Sequence, residues 1–154
     1  MRIADRLSSL GLSLPTPAAP VAAYVPAVEA GGLLYVSGQL PFDASGALMS
    51  GRLEGPEDVV RGQAAARACG LMLLAQIEAA LGSLDRVARI VKLGAFVASG
   101  PAFTDQPKVA NGASELMAEV FGEAGRHARS AVGVPVLPLG AAVEIDAIVA
   151  VRGD

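Results

Sequence analysis

The stretch "HARSAVGVPVLPLGAAVEIDAIVAV", residues 127–151, decides the fold. It holds two strand-like runs, 128–137 and 142–151, joined by "PLGA" at 138–141. Strand side chains alternate between faces. In the first run Val132, Val134 and Val136 share one face, and Arg129 lies on the other with Ala131, Gly133 and Pro135. In the second, Val143, Ile145, Ala147, Val149 and Val151 point one way, and Glu144 and Asp146 the other. Two acids in so apolar a strand need a reason. One reading is a wet face, with Arg129 a solvated strand-end residue. The other is a site. Folded as a hairpin at 138–141, the two runs place Glu144 opposite about residue 135, roughly 20 Å along the strands from Arg129. The two side chains then cannot meet within one chain, and a site using both lies between subunits. Ala131 and Gly133 cannot satisfy a guanidinium, so a ligand or a second subunit is expected to do so.

Outward from this stretch, helices and strands alternate. Ile3, Leu7 and Leu10 predict a short N-terminal helix, stopped by Gly11 and Pro15. "LLYVSGQL", 33–40, predicts a strand ending at Pro41, and "DASG", 43–46, a turn. Pro56, Glu57 and Asp58 suit a helix start, and Gly82 a helix end. Between them Val60, Ala64, Ala68, Leu71, Leu74, Ile77 and Leu81 form the expected apolar face. "RIVKLGAFVA", 89–98, predicts the next strand. A second long helix begins at Pro107, with Val109, Ala113, Leu116 and Val120 as its stripe. Asn111-Gly112 inside that helix is a turn signal, and such local conflict marks functional positions. The element order implies a single α+β sandwich, residues 1–154, with both long helices on one face of a sheet.

Composition narrows the function. Of 154 residues, 53% are hydrophobic and only 18% charged. So little charge leaves apolar surface exposed on a lone chain, which predicts self-association. The net charge is −3 and aromatics are 4%, against the basic stripe and stacking rings of nucleic-acid binders, so no nucleic-acid partner is expected. One cysteine, Cys69, allows no intrachain disulfide and reads as a small buried hydrophobe. One histidine and one cysteine predict no metal site. Charges interrupt every long apolar run, so the expectation is a cytoplasmic protein without a membrane partner.

"VSGQLPFDASG", "VANGASELMAEVFGEAG" and residues 127–151 together resemble the RidA/YjgF family of reactive-intermediate deaminases, over about residues 20–151. The helix at 1–12 is additional to the family pattern. The resemblance implies a chorismate-mutase-like fold and a homotrimer with clefts between subunits. It also implies hydrolysis of 2-aminoacrylate and 2-iminopropanoate to 2-keto acid and ammonia, with no cofactor. Arg129 matches the family's substrate-carboxylate arginine, and Glu144 the glutamate that helps position water. Tyr24, Ser37, Gly38 and Asn111 match its other ligand-binding positions. Ala131 stands where the family often has cysteine. "GRHARSAVG" resembles a longer branch of the family.

His127 is read as a structural histidine at a strand start, with an accessory acid–base role as the alternative, because its ordinary pKa suits proton transfer. Arg126 reads as a solvated loop charge. Two other functions remain open. One is a non-catalytic trimer that binds a keto acid and regulates another process. The second is the ribonuclease implied by the family's older name, which the acidic balance and scarce aromatics oppose.

Overall fold

Proline and glycine set the element bounds in the computed structural model, which describes residues 1–20 and 22–153. Pro56 opens a 3₁₀ turn that runs into α2, Val59–Leu81, and Gly82 ends that helix in the left-handed conformation at φ 83°. Ahead of it lie α1 (Ile3–Ser9), β1 (Ala27–Ala30) and β2 (Leu33–Gln39). After it come β3 (Val87–Ala98), α3 (Gln106–Phe121), β4 (Ala128–Val134) and β5 (Val143–Val151). The "DASG" turn forms as expected. Asp43 Oδ1 accepts from the Ser45 and Ala47 amides, and Gly46 supplies the positive φ. The short β1 carries no sequence signal and was not anticipated.

The strands form one sheet in the order β1-β2-β5-β3-β4. The expected hairpin between the last two strands does not exist. β5 lies between β2 and β3 and is antiparallel to both, whereas β4 pairs parallel to β3 at the edge. A parallel pair needs a crossover, and α3 supplies it as a β3-α3-β4 unit. The "PLGA" link therefore bridges two strands that do not touch. The register changes accordingly: Glu144 aligns with Phe96 and, across it, with Val132.

α2 and α3 cover one face of the sheet. The β5 alternation holds, with Val143, Ile145, Ala147 and Val149 buried beneath the helices. The α3 stripe of Val109, Ala113, Leu116 and Val120 is buried as expected. The stripe expected on α2 is out of phase in its first turns. Val60 is 76% exposed, and Gly62, Ala65, Ala66 and Cys69 face inward instead. Small residues decide that phase. A Cβ on Gly62 would lie 2.6 Å from Leu53 and 2.9 Å from Val109, and one on Gly70 would lie 2.8 Å from Leu116. Close helix–helix approach through glycine thus outweighs the burial of a valine at the helix start.

By length and composition, residues 56–81 could cross a membrane, but most of that helix is buried here against the sheet and α3. The opposite face of the sheet has no covering helix. Val28, Tyr35 and Val132 lie about half exposed on it. The additional helix α1 docks on the helical layer: Leu7 is buried, Arg6 Nε donates to the Glu119 carbonyl and the Ile3 amide donates to Asp85.

Candidate functional site

The residues matched from sequence fall into two groups on opposite sides of the sheet. The first surrounds Arg129. Its neighbour in register is Leu93, a buried residue of the helix-covered face, so the guanidinium points toward α3. Arg129 Nη1 donates to Asn111 Oδ1 at 2.9 Å and Ser114 Oγ at 3.0 Å, and Nη2 donates to the Pro107 carbonyl at 3.2 Å. Positions 107, 111 and 114 are spaced four and three apart, so they share one side of α3. The expectation that only a ligand or a subunit could satisfy Arg129 is therefore corrected: its own helix does most of that work. Three of the five N–H donors are used among the described residues. The other two, on Nε and Nη2, suit a bidentate carboxylate.

Both residues of Asn111-Gly112 have a role inside the helix. Asn111 holds Arg129, and a Cβ on Gly112 would collide with the Gln63 carbonyl of α2. His127 lies just ahead of β4, half-buried. Its Nδ1 is 2.7 Å from the Gly125 carbonyl and its Nε2 is 2.9 Å from Ser114 Oγ. Burial, and then the Arg129 charge, lower its pKa, against the opposing pull of the Gly125 carbonyl. Arg126 is the exposed loop charge expected, 3.6 Å from Glu123. Ser114 escaped the sequence reading, although its spacing from Asn111 offered a signal.

The second group surrounds Glu144. Tyr24, Gly38 and Glu144 line a cavity of about 100 Å³ with Gln39, Phe42 and Leu139. The register of β2 against β5 shifts between Val36 and Gln39, so Ser37 and Gly38 form an irregularity of the kind that re-aims groups beside functional sites. Glu144 folds over Gly38, where a Cβ would lie 2.8 Å from its carboxyl carbon. Ser37 Oγ donates to the Val25 carbonyl at 3.0 Å. Buried Gln76 fastens this corner, donating to the Ala18 carbonyl at 2.7 Å and to Gln39 Oε1 at 3.2 Å. Burial, and then the like charge of Asp146, raise the Glu144 pKa. Burial also raises that of Asp146, opposed by the Gly94 amide and by Lys92.

Arg129 lies three residues along and two strands across from the Glu144 level, about 14 Å between Cα atoms at ordinary sheet spacings. The two also point to opposite faces. They cannot meet within one chain, as expected, but through sheet order and facing rather than through a hairpin. Cys69 is buried with its Sγ 3.6 Å from the Val143 carbonyl, and burial pushes its thiol pKa well up, so it is an inert core group. Among the described residues no three His, Cys, Asp or Glu side chains gather as a metal site.

Residues 4–149 match the family described as "YjgF/chorismate_mutase-like, putative endoribonuclease". The chain is 57% identical over 149 residues to Protein TCP17 of Trypanosoma cruzi, covering 96% of this chain and 93% of that one. Its fold superimposes on the crystal structure of Atu1372 from Agrobacterium tumefaciens, a protein of unknown function, with a TM-score of 0.88 and 50% identity. That match covers 97% of this chain and 92% of that one. It is also similar to Escherichia coli TdcF with bound serine, at a TM-score of 0.63 and 28% identity, covering 90% and 94% of the two chains.

Proposed function

Because the chain belongs to the YjgF/RidA family, we propose that it hydrolyses 2-imino and enamine acids of the 2-iminopropanoate and 2-aminoacrylate type to the 2-keto acid and ammonia, in a homotrimer whose site joins the Arg129 group of one subunit to the Glu144 group of the next. The observation that carries this reading is the state of Arg129. Three bonds to α3 fix its plane, and two donors remain for a carboxylate. The half-exposed Val28, Tyr35 and Val132 on the uncovered sheet face favour association. TdcF carries bound serine, a small molecule with a carboxylate and a nitrogen on one carbon, which suits an arginine anchor.

The chemistry asked of the site is modest. Water adds to the C=N carbon, the nitrogen gains a proton, and the C–N bond breaks to release ammonia and leave the keto acid. Arg129 holds the carboxylate so that the imine carbon meets water in one orientation. Glu144 accepts a hydrogen bond from that water. Its raised pKa brings the carboxyl closer to the range where it can also pass a proton to the leaving nitrogen. The test is keto acid formation from 2-iminopropanoate, measured with the particle mass. Hydrolysis by a particle three times the 15.5 kDa chain mass is expected. Binding of pyruvate without any hydrolysis would support the regulatory reading instead.

A further inference from the structure

We propose that Ser114 is an activated nucleophile with His127 as its base, able to take the acyl group of a short-chain carboxylic ester at the cleft between α3 and β4. The directions of the hydrogen bonds are forced by chemistry. The Gly125 carbonyl can only accept, so His127 Nδ1, 2.7 Å away, carries the proton. In the neutral ring Nε2 then presents a lone pair, and the Ser114 hydroxyl 2.9 Å away donates to it. The other contact of that oxygen is a donor, Arg129 Nη1 at 3.0 Å. A hydroxyl whose proton is held by a base and whose oxygen faces a cation is set up to become an alkoxide. A nucleophile, a base within reach and a third group orienting the base is the general pattern of covalent catalysis.

Other features agree. A serine in mid-helix commonly points to solvent or bonds back to the i−4 carbonyl; the partners of Ser114 lie across the cleft, on or just ahead of β4. Gly125 is buried, and a Cβ there would run into the Met117 carbonyl, so the group that orients His127 is pinned against α3. The cleft is open, about 720 Å³, and Ser114, His127 and Arg129 all line it. The charged groups that share it with His127 are Glu115 of α3, Glu123 and Arg126 of the connecting turn, and Arg129 of β4. Burial and the Arg129 charge favour the neutral ring a base requires.

The step balances without a cofactor. Ser114 Oγ bonds to the ester carbon, and its proton moves to His127 Nε2 and on to the departing alcohol oxygen as the C–O bond breaks. Water then attacks the acyl-serine and gives its proton to Nε2. The Oγ–acyl bond breaks, Oγ regains the proton and the free acid leaves.

The experiment uses the full chain and 4-nitrophenyl acetate, with no imine present, so its outcome is independent of the deaminase reading. A burst of one 4-nitrophenolate per chain is expected, with one acetyl group mapped to Ser114 by peptide mass. Ser114→Ala should give no burst. His127→Gln should acylate about 10²-fold more slowly or worse, at a melting temperature close to the parent's. In the parent the rate should fall on acidification as His127 gains a proton, with an inflection below the ordinary histidine value, and the glutamine variant should lack it. A parent chain without acetyl-Ser114, a label confined to lysines or the N-terminus, or wild-type acylation in His127→Gln would each overturn the proposal. Because labelling of the parent decides first, poor folding of a variant does not shield it.

Discussion

The Arg129 cluster and the Glu144 cluster are built in opposite ways. Around Arg129 the charge is supported from within the chain: one helix face supplies a carbonyl, an amide oxygen and a hydroxyl. Around Glu144 the carboxylate sits half-buried near a second carboxylate, with its pKa raised, beside an irregular stretch of strand. The basic half is pre-oriented with two donors left over, while the acidic half holds a carboxyl whose ionised form is disfavoured by burial and then by Asp146. A cation or a proton relieves such a half-buried carboxyl beside a like charge. The asymmetry teaches that one half keeps donors to spare while the other lacks a counter-charge, a complementarity that suits the proposed site divided between copies.

The strongest test of the comparison removes the basic half. Arg129→Ala should lower kcat/KM for 2-iminopropanoate by roughly thirty-fold to several thousand-fold, the equivalent of about 2–5 kcal/mol for a desolvated charge pair. Arg129→Lys should recover little, because an ammonium loses the fork. Full activity in an intact Arg129→Ala assembly would remove the arginine as anchor. A mixing experiment addresses the division directly. Arg129→Ala and Glu144→Gln chains, each inactive, should regain up to about one quarter of parental activity when dissociated and reassembled together, as random pairing in a closed ring dictates. No recovery from mixed particles confirmed by mass would contradict a shared site.

Asn111→Ala should cost less than Arg129→Ala, roughly ten-fold to a hundred-fold in kcat/KM. It removes one of three supports and leaves the charge, at about 1.5–3 kcal/mol for a bond to a charged group at most. An Asn111→Ala chain as inactive as Arg129→Ala would show that orientation, not charge, dominates. The smallest effect is expected in the stability of Glu144→Gln. A carboxyl with a raised folded pKa binds its proton more tightly folded than unfolded. Its cost to stability therefore appears as pH rises through and above the ordinary carboxylate range. The glutamine variant should match the parent at low pH and exceed it at neutral pH in denaturant melts. A variant less stable than its parent at neutral pH would show that Glu144 is not strained.

Much of this was legible in the chain itself, and the failures have physical causes. Pro56 and Gly82 bracketed α2 because the fixed φ of proline suits a helix start and glycine tolerates the positive φ that ends one. The β5 alternation was readable because one face is fully buried. The apparent hairpin misled because adjacency in sequence was taken for adjacency in space, although β3-α3-β4 is the arrangement that makes parallel neighbours. The phase of α2 was misread because glycine contacts, which carry no hydropathy, set it. In the candidate site, motif resemblance singled out Arg129, Asn111 and Glu144, and the fold places Asn111 against Arg129 but Glu144 on the other face. The Ser114–His127 pair was not, since a serine in a helix looks like ordinary surface until β4 is brought beside it.

Sheet order has one more consequence, for the order of assembly in time. β5 leaves the ribosome after the other four strands of this sheet, yet it lies at the centre, with β2 on one side and β3 on the other. Until it emerges, the nascent chain holds two unpaired strand edges and an uncovered apolar helix layer, a state prone to misassociation. The molecule therefore cannot mature from its N-terminus inward. Folding awaits β5, and a nascent chain stalled before Val143 should be a client for chaperones rather than a smaller version of the same protein.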